Sequence, residues 1–428
     1  MNAPVNLDSE RKIQLARRIT LTLFLAQSLV SGALIAMATV NAIAGAELSR
    51  VAVWAGVPGA VLLLATAIGA YIWGMFMERF GRRPGLMLGS SLGVLGAVIS
   101  AQAIRIISFP LFLLGMAFLG LAQAAMTLGR FAAAEVHPPP VRGRAIANIV
   151  LGGTIGAILG PLLVGPASEW MRSLGRNELS GAYIVGLALF ALALGVIALL
   201  LRPEPKALAY TELSDLTADN TGADVREPLN AIIQRPGVAV PVITMVIGQL
   251  VMVMLMVITS LHMKGLGHSL ADVSFVISAH TFGMFAFSFI SGRLSDRLGR
   301  EPVIYTGAAV LVLASLSARF SIAVPSLAGS LFALGLGWNL CFVAGSALLT
   351  DHLSAAEQTR VQGFNDLLVG LASALGSLGS GVVFAALGYR AMGLVAAGLA
   401  GIPILATSWW QRYRRHPHLA AAQPPPPV

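Results

Sequence analysis

The chain has 428 residues, of which 56% are apolar and 11% charged, with a formal net charge of +9. Soluble domains carry about 25% charged residues, so most of this chain cannot face water. No basic patch with interleaved aromatics occurs, which sets nucleic-acid binding aside, and the one cysteine, Cys341, excludes an intramolecular disulfide and a cysteine-cluster metal site.

Arg11, Lys12, Arg17 and Arg18 precede an apolar run from Ile19 to about Ala46. The core of a cleavable signal peptide is only about 7–15 residues long, so this run reads as a first spanning helix. Stretches long enough to span, about 20 residues each, fall at 19–46, 51–77, 85–107, 109–134, 144–168 and 180–201. A second set falls at 238–262, 270–292, 302–320, 325–350, 360–386 and 390–411. The expected organisation is a cytoplasmic segment 1–18, a six-helix bundle 19–201, a cytoplasmic linker 202–237, a second bundle 238–411 and a cytoplasmic tail 412–428. The linker carries Pro203, Pro205 and Pro236 and lacks apolar periodicity. The Pro424–Pro427 tract reads as a disordered end, with a partner-binding role as the other reading.

One stretch occurs twice. Gly74-x-x-x-Glu78-Arg79-x-Gly81-Arg82-Arg83-Pro84 returns as Gly292-x-x-x-Asp296-Arg297-x-Gly299-Arg300-Glu301-Pro302, 218 residues later (292 − 74). That spacing is close to half the chain, so the protein reads as two copies of one membrane unit. Gly81 and Gly299 permit a sharp turn between helices, and an acid beside an arginine can form a charge-assisted pair that opens and closes. This doubled loop resembles the signature of the major facilitator superfamily of secondary transporters. The resemblance implies an all-α membrane protein with twelve transmembrane helices in two pseudo-symmetric six-helix bundles, working by alternating access.

Charge supports an orientation. With both termini inside, 21 of the 28 Lys and Arg residues lie on the inner side, as the positive-inside rule requires of cytoplasmic termini in an inner membrane. Gly152, Gly156 and Gly160 recur every fourth residue before Pro161, a smooth face for close helix packing. Gly156-Ala-Ile-Leu-Gly160-Pro161 also resembles the family's fifth-helix motif associated with exporters, although Val164 stands where a further glycine is usual. The arginine that the family's drug/proton antiporters carry early in the fourth helix is absent from Met116–Gly120.

Arg130 and Glu135, five residues apart, are expected to join a gate network with the loop at Glu78–Arg83. His280 and Asp366 are the candidates for taking up a coupling proton, because ionisable groups inside a membrane are costly and usually functional; pairing with a gate residue such as Arg293 is the other reading of Asp366. Gln27, Asn41, Gln123, Asn148, Gln249, Asn339 and Asn365 are candidate cavity residues, set against plain hydrogen bonding between helices. Trp338 beside Asn339 offers a flat wall to an aromatic ligand or faces lipid. The first half lacks deep acids, which favours a neutral or anionic solute.

His262, His268 and Asp272 lack the spacing of a metal site, and no catalytic motif or cofactor fingerprint stands in a credible context. The expectation is therefore a transporter and not an enzyme. It has no cofactor or metal, acts as a monomer in the lipid bilayer, and moves a small organic molecule by proton-coupled export. Proton-coupled import, a metal carrier and a non-transporting receptor are the alternatives.

Overall fold

The computed structural model describes residues 7–138, 141–208 and 228–415; linker residues 209–227 and the tail beyond 415, with Pro424–Pro427, lie outside them. In hydrocarbon a backbone N–H or C=O finds a partner only within its own helix, and the apolar runs fold accordingly. The first part holds α1 (Leu7–Ser49), α2 (Val57–Phe80), α3 (Arg82–Arg105), α4 (Phe109–Thr127), α5 (Gly129–Glu135), α6 (Arg142–Leu159), α7 (Val164–Ser173) and α8 (Ser180–Leu200). The second holds α9 (Leu229–Gln234), α10 (Pro236–Gly265), α11 (Leu270–Phe285), α12 (Ser288–Leu298), α13 (Arg300–Ala318), α14 (Val324–Asp351), α15 (Ala355–Ala400) and α16 (Ile402–Arg415).

Among the described residues, 11 stretches are long and apolar enough to cross a membrane. The last, Arg360–Arg414, leaves helical geometry at Gly388, with φ 73° and ψ 174°. That break falls in the gap between segments 360–386 and 390–411, so this stretch crosses twice and the fold is a twelve-pass helical membrane protein. The fifth pass is likewise interrupted. A 3-10 turn at Pro161–Leu163 separates α6 from α7, because proline brings no N–H to continue the ladder.

The chain forms two compact units, Met1–Asp224 with Val257–Ser278, and Val225–Met256 with Ala279–Val428. These units do not follow the sequence halves. The end of α10 and the start of α11 pack with the first half, where Leu261 and Leu270 join a core containing Phe112, Tyr183 and Phe190. Small residues bring the helices of each unit together. A Cβ on Gly152 would lie 2.7 Å from the Phe24 carbonyl oxygen, and Cβ atoms on Gly156 and Gly160 would run into the carbonyls of Ser28 and Gly32. So α6 lies backbone to backbone on α1. In the second unit, a Cβ on Gly337 would sit 2.9 Å from the Gly307 carbonyl oxygen, closing α13 on α14.

The two copies of the repeated loop make the same turn. Gly81 (φ 98°, ψ 165°) ends α2 and precedes α3, and Gly299 (φ 93°, ψ 162°) ends α12 and precedes α13. Their N–H groups donate to the Met77 and Ser295 carbonyls. This backbone region is essentially open to glycine alone.

The surroundings of the two glycines differ. A Cβ at Gly299 meets only Pro302 Cδ at 3.8 Å, whereas one at Gly81 meets the Glu204 carboxylate at 3.0 Å. Gly299→Ala is expected to lower unfolding free energy by about 1–3 kcal/mol through backbone strain alone. Gly81→Ala should cost more, because Glu204 must also move. Thermal unfolding of the two variants in detergent checks the order, and equal losses would show that Glu204 does not press on the turn.

Candidate functional site

The first N–H groups of a helix have no partner within it, and Gly81 offers α3 no side-chain cap. Glu204 supplies one from beyond the end of α8. Its carboxylate accepts from the Arg82 N–H at 2.5 Å and from the Arg83 N–H at 3.1 and 3.2 Å. A carboxylate there also meets the positive end of the helix dipole. Lys206 donates to the Glu78 carbonyl, so the chain after Pro203 ties both sides of the turn.

Arg82 then reaches the end of the fourth pass. Its Nε donates to Glu135 Oε2 at 3.1 Å and its Nη2 to Oε1, a two-pronged pair. Arg83 Nη2 donates to the Ala198 carbonyl at 2.9 Å. The Glu78 carboxylate makes no hydrogen bond or ion pair among the described residues, and Arg79 lies over the Phe80 ring at 5.3 Å. Arg130 does not pair with Glu135; it lies over Phe131 at 4.9 Å, and its Nε has no partner among the described residues. The acid that serves the first loop is therefore Glu204 together with Glu135, and not the acid inside the loop.

In the second unit the loop acid is used. Arg300 Nη1 donates to Asp296 Oδ1 at 2.8 Å and to the Ser295 carbonyl at 2.9 Å, while its Nε donates to Asp351 Oδ2 at 3.0 Å. Asp351 ends α14 as Glu135 ends α5, so Arg82–Glu135 and Arg300–Asp351 are counterparts. Glu301 accepts from Gln411 at 2.5 Å and from Arg414. Gly74 and Gly292 have open space around them, and Arg297 is exposed. Sequence reasoning missed Glu204 and Asp351. A partial signal for Glu204 was present: the first N–H groups of a glycine-started helix have no partner within it, and this acid sits between Pro203 and Pro205 directly after the sixth span.

A second charged cluster lies between α7 and α8. Glu178 accepts from Arg172 and from Lys264, with Lys264 on the part of α10 that belongs to the first unit. Burial alone would raise the Glu178 carboxyl, but hydrogen bonds from Lys264 and Arg172 outweigh it and hold the pKa below the ordinary 4.5.

The interior amides fall into two groups. Asn41 Oδ1 accepts from Tyr183 Oη at 2.6 Å. Asn339 accepts from Ser291 Oγ at 2.6 Å and donates to the Met284 carbonyl at 2.7 Å and Ser288 Oγ at 2.8 Å. Both are buried and committed to helix contacts. Gln27 donates to Ser31 Oγ at 3.1 Å, and Gln123 Oε1 accepts from Thr66 Oγ1 at 3.3 Å. Asn148 is exposed, and Asn365 is buried with its Oδ1 unpartnered among the described residues.

Gln249 is different because its amide links an aromatic wall. It accepts from Trp338 Nε1 at 2.7 Å and donates to Ser373 Oγ at 2.8 Å. The half-buried Trp338 ring stacks on Phe342 at 5.0 Å and receives Phe285 edge-on at 6.2 Å.

His280 is fully buried between α11 and α14. Its Nδ1 lies 2.9 Å from the Leu331 carbonyl, and its Nε2 has no partner among the described residues. Asp366 is exposed on α15.

A twelve-pass helical chain with a doubled glycine turn, each copy tied by an arginine to the acid ending a later pass, defines a polytopic membrane carrier built from repeated bundles. The chain belongs to the Major Facilitator Superfamily, whose family model matches residues 19–269 and again 241–426. It is 31% identical over 410 residues to the uncharacterized MFS-type transporter YdeG of Bacillus subtilis, covering 95% of this chain and 94% of that one. It is 30% identical over 355 residues to the riboflavin transporter RfnT of Brucella anthropi, covering 83% and 86%. The inward-facing, unoccupied crystal structure of a bacterial homologue of the human lysosomal transporter Spinster shares the fold, with TM-score 0.71 at 15% identity, covering 92% of this chain and 96% of that one.

Two predictions concern the charged clusters. The Arg82 and Glu135 side chains are 19% and 30% exposed, whereas Asp296 is 73% exposed. Glu135→Gln should therefore cost roughly 1.5–3 kcal/mol, as expected for a shielded charged hydrogen bond, and Asp296→Asn about 0–1 kcal/mol. Chemical unfolding of both variants in detergent reads the difference.

Glu178 has a lowered folded pKa, so its pairs contribute fully above the ordinary 4.5 and lose that contribution as pH falls through the lowered value. Glu178→Gln is expected to flatten the fall in melting temperature between about pH 5 and 3. An unchanged acid limb would show that the cluster adds no pH-dependent stability.

Proposed function

We propose that the protein is a secondary transporter that exports a small, planar aromatic solute across the bacterial inner membrane, by alternating access coupled to inward proton flow. Transport as such follows from the family. The observation that carries the solute class is the Gln249–Trp338–Phe342 group, in which a glutamine amide fixes the indole at 2.7 Å and Phe342 stacks behind it at 5.0 Å. An indole held this way presents a preset flat face, and offset stacking against an aromatic ligand contributes beyond buried area. Similarity to a riboflavin transporter supports the same class, since riboflavin is a planar aromatic molecule. Cytoplasmic placement of the termini and of the Gly81 and Gly299 turns is supported by the distribution of Lys and Arg.

The export direction is supported by the Gly156–Pro161 stretch, where α6 breaks after Leu159. For the coupling proton, Asp366 is exposed on α15, whereas His280 is fully buried with its Nδ1 against the Leu331 carbonyl. We assign the exchange to Asp366 and leave His280 as the reserve site, reached only when α11 and α14 separate.

Inverted membrane vesicles test the proposal, with riboflavin as the probe. An acid-inside gradient should drive riboflavin into them, and a protonophore should stop it. Trp338→Ala should lower kcat/KM about tenfold, the equivalent of one aromatic stacking contact. Asp366→Asn should abolish gradient-driven uptake while exchange of internal for external riboflavin continues. Flux in the opposite sense under the same gradient would assign import, and a fully active Trp338→Ala would remove the aromatic wall from the solute path.

A further inference from the structure

The first unit contains a cavity of about 670 Å³ beside the start of α1, bounded by the end of the fourth pass and the start of α6. Among the described residues, Lys12, Arg17, Arg144 and His137 line it, and no Asp or Glu does. Lys12, Arg17 and Arg144 form no ion pair among the described residues. Lys12, Arg17 and Arg144 are exposed at this cavity, and three permanent cations facing one space make it attractive to an anion at the membrane surface.

The cavity also has an apolar side. Ile13, Arg17 and Leu21 follow one another at four-residue spacing, so they share a face of α1. Ile13 and Leu21 are 52% and 59% exposed and line the same cavity. A free inorganic anion has no use for that apolar stripe, but an acyl chain does. The position along the helices agrees: the candidate spans Arg11–Ser49 and Arg144–Ser173 both begin here, which is where headgroups meet spanning helices.

We propose that this cavity binds the phosphodiester headgroup of an anionic phospholipid, with Arg17 and Arg144 gripping phosphate oxygens, Lys12 adding a point charge, and the acyl chain lying along Ile13 and Leu21. Guanidinium groups suit phosphate through paired N–H donors, and basic pockets between spanning helices are recognised lipid headgroup sites. The site is separate from the Gln249–Trp338 group and does not depend on what that group carries.

The test uses the full chain in nanodiscs of phosphatidylcholine with and without phosphatidylglycerol, read by native mass spectrometry and by melting temperature. The parent protein should retain phosphatidylglycerol in preference to phosphatidylcholine and melt higher when it is present. The triple variant Lys12→Gln, Arg17→Gln, Arg144→Gln should lose roughly a hundredfold in that preference, while melting like the parent in phosphatidylcholine alone. The charge-keeping variant Lys12→Arg, Arg17→Lys, Arg144→Lys should fall between the parent and the triple variant, because it keeps the charge and loses the paired N–H donors, which separates lost recognition from lost folding. Equal retention of both lipids by the parent, or undiminished preference in the triple variant, would overturn the proposal. So would inorganic phosphate raising the melting temperature as much as phosphatidylglycerol does, because the apolar stripe would then serve no purpose.

Discussion

A helix that starts on a glycine turn leaves its first N–H groups without a partner inside the helix, and at the first copy of the loop a carboxylate from beyond the sixth pass reaches them. The charged contacts around the first loop gather on this constraint. Glu204 takes the N–H groups of Arg82 and Arg83, and the Arg82 side chain crosses to Glu135. The turn, the chain after the sixth pass and the end of the fourth pass thereby become one hydrogen-bonded assembly.

The second copy shows what duplication keeps and what it lets drift. Both copies keep the glycine conformation and both keep an arginine bound to the acid that ends a later helix, Glu135 or Asp351. They differ in where the remaining acid comes from. Asp296 sits four residues before Arg300 and pairs with its side chain, while in the first copy Glu78 makes no such pair among the described residues and Glu204 accepts from the backbone N–H groups of Arg82 and Arg83. Sequence identity at the motif therefore does not imply identical bonding. An acid four residues before the arginine stands at both Glu78 and Asp296, but only Asp296 pairs with it.

What was legible in the sequence divides along the same line. Spanning helices are set by the length and composition of single segments, so the twelve passes could be read directly, down to the break at Gly388 between the last two. The turn glycines were legible too, because their conformation is a local property. Partners were legible only where they lay nearby or on a matching repeat. Glu135 was grouped with the first loop, but Arg130 was grouped with it as well, and Arg130 rests on Phe131 instead. Glu204 lies 122 residues from Arg82, and no periodicity connects them. The amides show the same limit. Asn41 and Asn339 look like Gln249 in sequence, yet Tyr183 and the Ser288–Ser291 turn consume the first two, and only tertiary packing distinguishes them.

The packing also determines where change can occur. In the first unit α6 meets α1 through backbone atoms at Gly152, Gly156 and Gly160, a contact with no side-chain layer to rearrange. In the second, α13 and α14 meet in the same way at Gly307 and Gly337. Interiors packed this closely move as bodies and do not deform gradually. Any cycle the protein runs must therefore load its rearrangement onto contacts that open without breaking a packed core. Surface ion pairs meet that condition, since each is worth little in water and exchanges readily. The distribution of charge along this chain, sparse within the passes and concentrated at their ends, is what such a division of labour requires.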